Sequence, residues 1–105
     1  MSTLYVEPID KAQHVLPLVR AAINSEIMRL ELALQLARER LLPFERKYGV
    51  SSEYFITAMT AEDLQGGDEE YVQWAGEYQL MRRLEERLTN LREVQYSDSG
   101  VSRSA

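Results

Sequence analysis

Ile23, Ile27, Leu30, Leu34, Ala37, Leu41, Phe44 and Tyr48 succeed one another at steps of 4, 3, 4, 3, 4, 3 and 4. A repeat of that kind, kept for more than three heptads, demands a long α-helix lying at a shallow angle against another helix. Leu18, Ala22, Met28, Leu32 and Leu36 read as a widening of the same stripe, which suits a bundle helix better than a bare two-stranded zipper. A second seam follows in Tyr71, Trp74, Tyr78, Met81, Leu84, Leu88 and Leu91, at steps of 3, 4, 3, 3, 4 and 3. At about 1.5 Å per residue, the first helix reaches roughly 45–57 Å, and a second of about 28 residues can run back along it. The expected fold is all-α: a long helical hairpin over residues 10–96, closed by a short connecting helix. Two helices leave the outer flank of each wide stripe wet. A second copy, or a different chain, is the cheapest cover, and a dimeric helical bundle is the expected assembly.

Helix punctuation sets the expected boundaries. Asp10 can cap a helix that starts at Lys11. Pro17 would remove a donor and crowd the carbonyl of Gln13, so a kink or break is expected there, and Pro43 should bend the helix near Glu39. Gly49 is the expected left-handed stop. Ser51-Ser52 offers a cap for a short helix from Glu53 to about Met59. Gln65-Gly66-Gly67 is a breaker, after which Asp68 is placed to cap the last helix with Glu69 and Glu70 in its first turn. Residues 1–9, with Thr3-Leu4-Tyr5-Val6 closed by Pro8, read as an extended arm or a short N-terminal edge strand. Residues 97–105 have no periodicity and read as a disordered tail.

The chemistry-bearing residues are few. There is no cysteine and one histidine, His14, among 105 residues. That removes disulfide frameworks, thiolate zinc sites and histidine-rich metal sites, and it suits a reducing cytoplasm. No stretch approaches the roughly 18–20 apolar residues of a membrane span, and Met1-Ser2-Thr3-Leu4 lacks the basic and apolar parts of a leader. Ser51, Ser52 and Thr57 have no histidine or lysine partner for nucleophilic catalysis. Glu53, Glu62 and Glu86 do not form the paired Glu-x-x-Glu and Glu-x-x-Asp motifs of metal-dependent pyrophosphohydrolase bundles. No cofactor is expected.

Charge is the stronger signal. The chain carries −5 overall, yet Gly49 to Tyr78 holds seven acids and no Lys or Arg. Glu62, Asp63, Asp68, Glu69 and Glu70 crowd around the Gly-Gly corner, where they repel phosphate backbones and attract basic proteins. Arg38, Arg40, Arg46 and Lys47 gather at the end of the first helix, where cations also suit the helix dipole. Nucleic acid is disfavoured by the acidic balance. Trp74, spaced 3 and 4 from Tyr71 and Tyr78, reads as core, and as the anchor for a protein partner if its indole is exposed.

Phe44-Glu45-Arg46-Lys47-Tyr48-Gly49-Val50-Ser51-Ser52-Glu53-Tyr54-Phe55, followed by Gly67-Asp68-Glu69-Glu70-Tyr71-Val72-Gln73-Trp74-Ala75, resembles a group of small prokaryotic helical proteins. That group combines an F-E-x-K-Y-G-x-S-S-E-x-F stretch with a later G-D-D-x-D-[FY]-x-x-W and a Leu-rich last helix. Its members are similar to the antidote partners of toxin–antitoxin pairs. The resemblance implies a protein that binds and masks a toxin-like partner. A plainer physical reading is that the motif is the chemistry of two tight corners, with Phe44, Tyr48, Phe55 and Trp74 packed between them.

The expected function is a non-enzymatic protein-interaction module that masks a basic partner through Glu62, Asp63, Asp68, Glu69, Glu70 and Trp74. The alternative is a self-assembling helical adaptor with no inhibitory role, and a metal-dependent hydrolase ranks third.

Overall fold

The structure, a computed structural model, describes the backbone of residues 8–104 and the side chains of residues 13–97. Its elements are α1 (Pro8–Tyr48), α2 (Ser52–Ala58), a 3₁₀ turn (Ala61–Asp63) and α3 (Gly67–Ser104). Among the described residues there is no strand. The Thr3–Val6 arm lies outside them. α3 returns antiparallel to α1, and α2 with the 3₁₀ turn closes one end of the hairpin. The long dimension is 65 Å and the radius of gyration 21.2 Å, against about 13 Å for a compact domain of this length.

Both seams meet as their spacing requires. Ile27, Leu30, Leu34 and Leu88 are buried along the shaft, with Ile23, Met81, Leu84 and Leu91 packed against them. Nearer the closed end, Leu41, Phe55, Leu64 and Trp74 form a second buried cluster flanked by Phe44, Tyr48, Tyr71 and Tyr78. Ala37 lies between the clusters and is also fully buried. Polar pairs edge the shaft: Arg38–Glu85 at 2.9 Å, Arg40–Glu77 at 2.9 Å and Arg92–Glu31 at 2.8 Å. Such half-exposed pairs contribute little stability each, but they disfavour a slipped register.

Three boundaries differ from the sequence expectation. α1 begins at Pro8 rather than after Asp10, because proline suits a first helical turn that needs no donor. It then runs without a break through Pro17, and it continues through Pro43 to Tyr48 as the seam requires. Both prolines are exposed, so water can take up the carbonyl that each leaves unpaired, while the seam on the other side continues. α3 persists to Ser104, beyond the expected end near residue 96. That stretch contains no proline, and a helix already nucleated extends through weak formers at small cost per residue.

A fourth difference bears on function. Leu18, Met28, Leu32 and Leu36 do not widen the buried stripe. They are 70%, 70%, 58% and 45% exposed. At about 3.6 residues per turn they fall on the side of α1 opposite Ile27, Leu30 and Leu34. α1 therefore has two apolar faces, and α3 covers one.

Candidate functional site

The closed end is built almost entirely from the residues of the two-block motif. Gly49, at φ +66°, ends α1 with its N–H donating to the Glu45 carbonyl at 2.8 Å. Ser51 caps α2 by accepting from the Tyr54 N–H at 3.1 Å. The next residue, Ser52, is buried and joins three elements. Its N–H and hydroxyl both donate to Glu45 Oε2, at 2.9 and 2.7 Å, while its Oγ accepts from Trp74 Nε1 at 2.9 Å. Every polar atom of this buried link is thereby paired, as its removal from water requires.

Trp74 sits at the centre with no exposed surface. Phe55 stacks on it at 3.8 Å between ring centroids, Phe44 at 5.4 Å and Tyr48 at 5.6 Å. Tyr71 meets Phe55 at 4.9 Å in a tilted contact. The indole is therefore a core group. Trp74 is removed from the partner-binding residues, because none of its surface is available to another protein.

The acids divide into two kinds. Glu70 is an internal anchor: it takes Lys47 Nζ at 2.7 Å, the Tyr48 hydroxyl, and the Gly66 N–H at 2.9 Å. Tyr48 Oη also accepts from the Gln65 N–H at 2.9 Å. This reach-back to Gly66 replaces the expected Asp68 cap, since α3 already starts at Gly67. A side chain at Gly66 would place its Cβ 2.7 Å from the Glu70 Cβ, so the corner needs glycine there. Asp63 is likewise occupied, accepting from the Thr60 N–H at 2.8 Å. Glu62, Asp68 and Glu69 remain exposed, with no cation within salt-bridge distance among the described residues.

Three donors on Glu70 have a pH consequence. Lys47 above all, then Tyr48 and the Gly66 amide, hold its carboxyl down at about 2, from the ordinary value near 4.5. Its stabilisation is complete above about pH 4.5 and is lost as the pH falls through about 2. Glu70→Gln should therefore lower the urea midpoint at pH 7, with the gap to wild type closing over that acid range. A gap that stays constant from pH 5 to 2 would show that the carboxylate charge contributes nothing.

The basic cluster at the end of α1 is largely neutralised by α3. Arg38 meets Glu85, Arg40 meets Glu77 and Lys47 meets Glu70. A shallow groove of about 480 Å³ along the shaft, lined in part by Arg38, Arg82, Glu85 and Arg92, has its arginines paired in the same way. His14 is exposed. Among the described residues no three His, Asp or Glu side chains converge as a metal site would need, and no helix is long and apolar enough to cross a membrane.

What sequence reasoning missed is the second face of α1. Its signal is present: Leu18, Ala21, Ser25, Met28 and Leu32 step by 3, 4, 3 and 4, offset from the first seam by half a turn. No family model, curated protein or solved structure matches the chain.

Proposed function

We propose that the chain is a non-enzymatic protein-interaction module whose closed end engages a basic partner protein, masking it in the manner of an antitoxin. One observation carries this reading: Glu62, Asp68 and Glu69 stand exposed around the Gly66-Gly67 corner, while the nearby cation Lys47 is already held by Glu70. An unneutralised patch of this kind speeds encounter with a positively charged surface. Other polar side chains of the closed end are tied into the corner: Ser52 to Glu45 and Trp74, Asp63 to Thr60, Glu70 to Lys47. A chain without cysteine suits a reducing cytoplasm, where such a partner would be met.

The triple variant Glu62→Gln, Asp68→Asn, Glu69→Gln tests it, because none of the three holds the corner together. Its unfolding free energy should stay within about 1 kcal/mol of wild type, as for exposed sites generally. Association with the co-purifying basic protein should slow, and the difference should shrink as salt rises. Full association rate at low salt would contradict masking by charge.

The scaffold reading has its own support in the uncovered face of α1, which concerns a different surface.

A further inference from the structure

We infer that the outer face of α1 is a self-association surface, on which two copies of this chain pair antiparallel through Leu18, Ala21, Ser25, Met28, Leu32 and Leu36. The inference rests on the reading of the chain as a protein-interaction module, and it names the occupant of a surface other than the acidic corner.

The stripe is self-complementary in one orientation only. On the N-terminal side of its centre stand small residues, Ala21 and Ser25, and on the C-terminal side large ones, Met28 and Leu32. Paired antiparallel about a two-fold axis near residues 26 and 27, Ala21 of one copy lies opposite Leu32 of the other, and Ser25 opposite Met28. Leu18 then falls opposite Gln35, with Leu36 next to it on the same chain. In the two central layers a large side chain meets a small one across the axis, as close helix packing favours. A parallel pair would set small against small and large against large, leaving voids at one end and crowding at the other.

Charge favours the same orientation. The heptad positions that continue the stripe are His14 at one end and Glu39 at the other, and both are exposed. Antiparallel pairing places the imidazole of each copy opposite the carboxylate of its mate. It also puts the two acidic corners at opposite ends of the assembly, whereas a parallel pair would bring them to the same end, where like charges repel.

The extended hairpin exposes more surface than a compact fold of its mass. The chain has 7947 Å² of accessible surface, against roughly 6,000 Å² for a compact monomer of its 12.1 kDa. That excess belongs to the elongated hairpin as a whole, and the outer face of α1, with Leu18 and Met28 70% and Leu32 58% exposed, is part of it.

The full chain should sediment at twice 12.1 kDa at micromolar concentration. Met28→Glu with Leu32→Glu should weaken the dimer roughly 100-fold or more, by burying like charges at its centre, while the far-ultraviolet helix signal is kept. The absence of native cysteine permits a second readout that does not depend on that variant folding. Ala21→Cys mixed with Leu32→Cys should form the mixed disulfide on oxidation. Identical residues would lie roughly 16 Å apart along the axis, beyond the about 7 Å a disulfide can span. A monomeric wild type, a double-glutamate variant that stays dimeric, or disulfides between identical positions would each overturn the proposal. None of these touches Glu62, Asp68 or Glu69, so the masking reading stands or falls by its own variant.

Discussion

Trp74→Ala should destabilise the chain by roughly 3–5 kcal/mol, the range for a large aromatic truncated in a core. The indole is fully buried between Phe55, Phe44 and Tyr48, and its N–H is the donor that satisfies Ser52. Losing it leaves a cavity at the one point where α1, α2 and α3 meet. Stabilities of small domains are themselves only about 5–15 kcal/mol, so a large share is at stake. Urea unfolding followed by circular dichroism gives the value directly, because the only tryptophan is the one removed. A loss below about 1 kcal/mol would mean that the aromatic stack does not hold the closed end.

Leu30→Ala should cost about 2–5 kcal/mol, whereas Leu32→Ala should leave the unfolding of the isolated hairpin within about 0.5 kcal/mol. The two residues are one turn-fraction apart in sequence and on opposite faces of α1. Leu30 is fully buried against α3, and Leu32 is 58% exposed. The comparison is made at concentrations low enough to separate copies, so that only the hairpin itself is measured. Equal losses at both positions would contradict the two-faced reading of α1.

These contrasts mark how far the sequence was legible. Heptad spacing identified the residues between α1 and α3 because a helix that keeps one face dry must repeat with that period, and Leu30, Leu34, Trp74 and Leu88 lie where it put them. The same spacing says nothing of how wide a covered face is. Leu18, Met28, Leu32 and Leu36 were therefore merged with the seam they oppose. Pro17 predicts, on local grounds, a kink or break in α1, and the helix is continuous there. Its exposed position lets water satisfy the backbone, and packing on the other face carries the helix through. Among the acids, charge density singles out the corner but does not distinguish Glu69 from Glu70. Only the fold back of the Gly66 amide and the arrival of Tyr48 and Lys47 make one of them structural and leave the other exposed. Trp74 illustrates the same limit. Its helical spacing marked it as core, while its residue type suits an anchor, and burial decides for the core.

The two-block motif becomes intelligible in those terms. Phe44, Tyr48 and Phe55 surround Trp74, Glu45 and Ser52 link to it, and Lys47 secures Glu70. Gly49 and Ser51 set the turn between α1 and α2. A motif so fully engaged in a corner specifies how the hairpin closes. On the proposed reading, recognition of other proteins falls to the surfaces around it: the exposed acids at the tip and the outer face of α1.

The most direct test is native mass spectrometry of the chain purified under mild conditions from its own expression background, over a series of salt concentrations. The expected species contains two copies of the chain together with a basic protein. That protein should dissociate as salt rises and be lost from the Glu62→Gln, Asp68→Asn, Glu69→Gln variant, while the two copies stay together. A lone 12.1 kDa chain at every salt concentration would contradict the proposal that this hairpin works by binding other proteins.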